Sequence, residues 1–204
     1  VNPTVISAIG TGSTVYSSGA VSVTSSTDVE ANAVATNFNA GVLTSGTGVA
    51  EAVLDPTVTA EVGSDAIVRG STIDVMALHN YASAGIPLDR QARARGTSGA
   101  GSALAAVGAR GTSESKGSAS TFVVSGASLE ATTTDVNLVA LAHNDVLGNG
   151  DGNAFTLIGL GNAEGHGVID TESVVRLGSN VNVTAKNDLN IKAGSNDVIN
   201  YRRA

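Results

Sequence analysis

The sequence has no cysteine, so no disulfide can staple it. It has no tryptophan, one methionine, three tyrosines and three phenylalanines. A globular interior needs large side chains to fill space at crystal-like density. A chain so poor in them must bring its backbones close together. Proline is scarce too, at Pro3, Pro56 and Pro87, and none of the three interrupts a strand-like run. No apolar run approaches the length of a membrane span. Basic residues number 11 against 18 acidic ones, a net charge of −7 that argues against nucleic acid as a partner. The charge divides as −6 over residues 1–80, +3 over 81–120 and −4 over 121–204. The opening Val1-Asn2-Pro3 lacks an initiating methionine, a basic segment and an apolar segment. The expectation is a single domain over 1–204, a processed product or a piece of a longer chain.

What is present is small and repetitive. There are 25 glycines, with many alanines, serines, threonines and valines, and 42% of residues are hydrophobic. That share and its regular alternation argue against disorder. The β-branched residues and glycine argue against a helix bundle. In Asn180-Val181-Asn182-Val183-Thr184-Ala185, apolar and polar residues alternate strictly. After a polar bend the alternation resumes with Leu189, Ile191 and Ala193. Period two means a strand with one buried face. The same pattern reads over Val21 to Ala33, Ala66 to Ala77 and Ala127 to Ala142.

A further strand ending in glycine precedes each copy, at Thr14–Gly19, Thr57–Gly63, Thr121–Gly126 and Ser173–Gly178. The glycines suit turns with positive φ. The bends are Ser-Ser-Thr-Asp, Thr-Thr-Thr-Asp and Lys-Asn-Asp, not the Asn-Gly or Asp-Gly of tight hairpins. They read as corners. A chain that turns successive corners in one sense winds into a solenoid, each circuit pairing in parallel with the next. The fold predicted is all-β: a right-handed parallel β-helix with a small-residue interior. At roughly 20 residues per circuit and ~4.8 Å between layers, about ten circuits are expected. In residues 92–108 small residues fill the even positions from Ala92 through Leu104, Ala106 and Gly108, predicting thin, closely packed strands. A helical turn over 103–107 is the alternative.

The pattern Thr57-Val58-x-Ala60-x-Val62-Gly63-Ser64-x-Ala66-x-Val68, then Ile73-Asp74-Val75-x-Ala77, resembles the repeats of giant bacterial surface adhesins of the filamentous-haemagglutinin-like and leukotoxin-like kind. The resemblance implies secretion, a place at or beyond the bacterial cell surface, and a structural or adhesive role as a rod or stalk. It transfers no catalytic residues. The alternative in another class is a polysaccharide-degrading or glycan-binding β-helix protein, but the six aromatics are scattered and define no sugar groove. An ice- or mineral-binding face of threonines is a third reading, weakened by the irregular spacing of those residues.

Candidate sites are few. Asn37, Asn80, Asn144 and Asn196 close the four copies, either as a stacked ladder or as separate turn residues. Asp28, Asp135 and Asp188, with Asp74 in a shortened copy, stand at the bends. There an aspartate caps neighbouring backbone N–H groups more often than it holds a cation. Asn149, Asp151 and Asn153 resemble a calcium-binding turn, but one copy falls short of the six to eight oxygens calcium takes, and a surface loop is expected. No cofactor is expected, calcium being the one candidate. His79 and His143 hold matching places before an asparagine and are expected to be exposed turn histidines rather than a metal pair, while His166 lies in a glycine-rich loop; no third ligand shares the spacing. Arg90, Arg93, Arg95, Arg110 and Lys116 form the one basic cluster, fit for an acidic glycan, a membrane surface or another copy of this chain. Self-association through the ends, or continuation in a longer chain, is the expected partnership. No catalytic site is expected.

Overall fold

A computed structural model describes the backbone of residues 1–83 and 85–203, and the side chains as far as residue 195. Among the described residues there is no helix, and all but one pair of strands run parallel. The chain makes four successive circuits. The first contains β1 (Thr4–Ile9), β2 (Thr14–Tyr16), β3 (Val21–Thr27) and β4 (Ala31–Leu54). The second contains β5 (Thr57–Val62), β6 (Ile67–Gly70), β7 (Ile73–His79), a small insertion of β8 (Tyr81–Ser83) and β9 (Ile86–Pro87), and β10 (Gln91–Ser115). The third contains β11 (Ser118–Val123), β12 (Ser128–Ala131) and β13 (Val136–Ile169). The fourth contains β14 (Glu172–Leu177), β15 (Asn182–Ala185) and β16 (Leu189–Arg203).

Three parallel sheets result. One has the order β1-β5-β11-β14 and another β15-β12-β6-β2. The third joins β3, β7, β13, β10 and β4, with β16 added on β13. Thr4 pairs with Thr57, Thr57 with Ser118 and Ser118 with Glu172. A circuit therefore takes 53, 61 and 54 residues in turn. The excess in the second comes mostly from residues 80–90, the β8–β9 insertion, which the third circuit lacks.

Each of the first three circuits has two parts. The short strands enclose a body whose inward positions are Val58, Val62, Val68, Ile73, Val75, Leu129, Val136 and Leu138, with alanines between them, all in one buried cluster. Burying a side chain of this size contributes about 1.5–3 kcal/mol. The long strands β4, β10 and the second part of β13 form a flap. Each runs outward, bends, and returns face to face with its own first arm. The ladder between neighbouring flap strands is in register on both sides of the bend and is interrupted only at Val42, Ala103 and Leu157.

The two flap arms lie so close because their facing residues are glycine, alanine, serine and asparagine. A Cβ on Gly96 would sit 2.3 Å from the Arg110 carbonyl oxygen, and one on Gly148 2.2 Å from that of His166. No side chain fits there. Ala31, Ala33 and Ala35 pack on Ala50, Ala52 and Ala94.

Several expectations need correction. The circuits number four rather than about ten, because the return segments are single long flaps and not further small coils. The first unit begins at Thr4, not Thr14; Thr14 opens the second strand, beside Ile67. Period-two alternation runs through β1, β2 and β3 alike and so cannot say which strand is which. Residues 103–107 are strand, as the main reading of 92–108 has it, and the helical alternative falls. Of the four glycines expected at positive φ only Gly126 has it, at 79°. Gly63 and Gly178 serve close approach instead: a Cβ would lie 2.7 Å from Thr11 N and 2.5 Å from Ser125 N.

Candidate functional site

The corner between the first two strands is the most regular feature of the repeat. Gly12, Asp65, Gly126 and Asn180 occupy equivalent places and all have positive φ, between 55° and 79°. Glycine, asparagine and aspartate tolerate that region best. The N–H of Gly12 donates to Ser64 O at 2.8 Å, that of Asp65 to Ser125 O at 3.2 Å, and that of Gly126 to Ser179 O at 3.0 Å. The corner is stitched from circuit to circuit. The sequence carried a signal for it: Thr11-Gly12, Ser64-Asp65, Ser125-Gly126 and Ser179-Asn180, at the true spacing.

Of the two readings of the closing asparagines, a ladder or separate residues, the three whose side chains are described follow the second. Asn37 lies on a flap arm beside Ser98, and its Nδ2 donates to Thr47 O at 3.0 Å. Asn80 is buried with φ 54°; its Oδ1 accepts the Val29 N–H at 2.9 Å. Asn144 is buried, and its Oδ1 accepts the Ser115 hydroxyl at 2.7 Å. The side chain of Asn196 lies outside the described residues, as do those of Tyr201, Arg202 and Arg203. The phase error in the first unit and the insertion after Asn80 explain the misalignment. A real polar ladder stands nearby. Asn190 Nδ2 donates to Asn137 Oδ1 at 2.9 Å, and Asn137 Nδ2 donates to Asp74 Oδ1 at 2.7 Å. These residues share one row of the third sheet. With Met76, Val139 and Lys192 they line an open groove of about 730 Å³.

Of the bend aspartates, Asp135 and Asp188 stack, and Asp135 Oδ1 accepts the Asp188 N–H at 3.1 Å. The cap is therefore made to the next circuit. Asp28 stands apart at the end of β3, held by Arg90, whose NH2 group donates to Asp28 Oδ2 at 2.9 Å. That guanidinium keeps the Asp28 carboxyl below the usual carboxylate range.

The basic cluster dissolves into ion pairs. Besides Arg90, Arg95 meets Asp151 at 3.5 Å, Arg110 meets Glu164 at 3.9 Å and Lys116 meets Glu114 at 2.9 Å. Arg93 shares a groove with Glu30 and Asp89. Arg95 and Arg110 project from opposite faces of the flap, so the five cations present no common surface. Asn149, Asp151 and Asn153 are strand residues of β13, not a loop. Asn153 Nδ2 donates weakly to Asp151 Oδ1 at 3.4 Å. Among the described residues no group of three histidine or acidic side chains converges as a metal site.

His79 and His143 are buried strand residues, not exposed turn histidines, and they are not equivalent, since His79 pairs with Ala142. His79 points inward where body and flap join, fully buried, with Nδ1 3.1 Å from Thr27 Oγ1. Burial pushes its pKa down to about 4, against a hydrogen bond to Asn144 that raises it; the neighbouring His143 lowers it a little further. His143 packs edge-on against Tyr81 of the insertion, ring centres 6.3 Å apart. His166 lies in a strand rather than a loop.

The feature missed in the sequence is the flap tip. Ser102 Oγ donates to Leu104 O at 2.6 Å and Thr156 Oγ1 to Ile158 O at 2.8 Å, tying the bends. Val42, Leu43, Leu104, Phe155, Leu157 and Ile158 then face solvent, Val42 81% and Leu157 89% exposed. Leu43, Leu104 and Ile158 form one row. Compared with known protein families, curated proteins and solved structures, the chain matches none.

Proposed function

We propose that this chain is a segment of a secreted bacterial surface fibre: a right-handed parallel β-helical rod that stacks end to end, by continuation of a longer chain or on further copies. Its role is structural or adhesive, without catalysis. The observation that carries this reading is the open last circuit. Its inward side chains Leu177, Leu189 and Ile191 are 41–51% exposed. They occupy the positions that Ile9, Val21 and Val23 fill in the first circuit. One further circuit would bury them, and the unpaired edges at both ends invite it. Sedimentation over a concentration series with electron microscopy tests the idea. Filaments or concentration-dependent growth are expected; a compact monomer at every concentration would contradict stacking between copies.

A glycan-binding reading is favoured by one feature, the groove along Asp74, Asn137 and Asn190. Amide and carboxylate groups in a row can bond successive sugar hydroxyls. Titration with a polysaccharide panel tests it, and binding should be lost in Asn137→Ala.

A further inference from the structure

The two open ends of the body differ in sign. From Thr4 to Leu54 the first circuit carries Asp28, Glu30 and Glu51 and no lysine or arginine, a formal charge of −3. From Glu172 to Arg203 the fourth carries Arg176, Lys186, Lys192, Arg202 and Arg203 against Glu172, Asp188 and Asp197, a formal charge of +2. Two first circuits brought together oppose acid to acid, and two fourth circuits base to base. A first circuit on a fourth sets opposite signs face to face.

The corners differ in the same sense. Gly12, Asp65 and Gly126 each donate the corner N–H to a carbonyl of the following circuit, at Ser64, Ser125 and Ser179. The series runs one way along the axis, and Asn180, with φ 57°, is its fourth member. The acceptor that continues it is the carbonyl just before the corner of a further circuit. In the first circuit that residue is Thr11, placed before Gly12 as Ser64 is before Asp65. One end therefore offers a corner donor and the other a corner acceptor. The inward rows agree as well. Leu177 ends the row Ile9-Val62-Val123, Val183 the row Val15-Val68-Leu129, and Ile191 the row Val23-Val75-Leu138. A first circuit laid on the fourth continues each row with an isoleucine or valine. Among the described residues β16 pairs with β13 as far as Gly150, so such a junction involves the body and the base of the flap, not its tip.

We propose that the acidic edge of the first circuit docks on the basic edge of the fourth circuit of another copy, giving a polar, head-to-tail filament with Leu177 on Ile9, Val183 on Val15 and Ile191 on Val23. This rests on the end-to-end reading above and adds its polarity and register. The chain has no cysteine, so introduced ones are unique. Thr14 and Asn182 are exposed and stand at the two ends of one row through Ile67 and Ser128. Within a copy three layers, ~14 Å, separate them; across the proposed junction they lie ~5 Å apart, within disulfide reach. Mild oxidation of the double variant Thr14→Cys, Asn182→Cys should yield a ladder of covalent oligomers, and each single variant monomer. Ladder growth should slow about tenfold between about 0.02 M and 0.2 M salt. Leu157→Asn at the flap tip should leave the ladder unchanged. A dimer as the main product of a single variant, or sedimenting polymer without a ladder, would overturn the proposal and leave end-to-end association standing. Growth indifferent to salt, or a ladder lost in Leu157→Asn, would overturn it too. Absence of any polymer of the unmodified chain in sedimentation would overturn both this and stacking between copies. If the double variant fails to fold, Tyr16→Cys with Thr184→Cys, in the neighbouring outward row, replaces it.

Discussion

Body and flap obey the same rule, alternate residues inward and parallel rows stacked in register, yet they fill their interiors in opposite ways. The body places Ile73, Leu129, Leu138 and a set of valines inside. The flap places mostly alanine, glycine and serine inside and leaves Val42, Leu43, Leu104, Phe155, Leu157 and Ile158 exposed at its tip. The first arrangement draws stability from the removal of apolar surface from water. The second gains little that way and relies on backbone ladders and close contact between layers. Two regions of one repeat can therefore share geometry while differing in what holds them and in what they offer to the outside.

The contrast can be broken most forcefully in the body. Leu138→Ala should cost about 2–5 kcal/mol, because the stacked rows above and below cannot collapse into the gap. Thermal or denaturant unfolding reads it, and the midpoint should fall for the whole molecule. His79 tests the junction. Its pKa of about 4 lies below the ordinary 6.5, so the unfolded chain binds the extra proton first. The stability from keeping this imidazole neutral is complete above pH 6.5 and is lost as pH falls toward 4, by up to roughly 3 kcal/mol. His79→Gln should flatten that part of the pH profile.

In the flap, Gly148→Ala should cost about 1–3 kcal/mol, since the new methyl meets main-chain atoms of His166 and Gly111. Hydrogen exchange should show the damage in residues 91–115 and 145–169 while the body stays protected. Gly101→Ala, where a Cβ meets nothing within 4 Å, should leave both regions unchanged. Smallest is the external ladder. Asn137→Ala removes hydrogen bonds to Asp74 and Asn190 and should cost about 1 kcal/mol.

Strand character and the inward face were readable from alternation: Ala92, Ala94, Gly96, Ser98 and Ala100 do point inward, as their spacing implies. Parallel pairing followed from corners where hairpin turns would otherwise stand. The phase was not readable. At the flap bend the parity flips, so Ala105, Val107 and Ala109 turn inward where Leu104, Ala106 and Gly108 were expected. Leu43, Leu104 and Ile158 look like core residues in a linear text, and only the bend carries them into solvent. The ion pairs that neutralise Arg95 and Arg110 join neighbouring circuits more than fifty residues apart, beyond any local pattern.

Because the chain has no cysteine, spin labels can be placed singly or in pairs. Glu51, Thr112 and His166 stand in one row of three successive circuits. Labels at Glu51 and Thr112 should be ~5 Å apart at the backbone, and labels at Glu51 and His166 about twice that. Both pairs should show strong dipolar broadening, the first more than the second. Absence of broadening in both would mean that the circuits do not stack in parallel register.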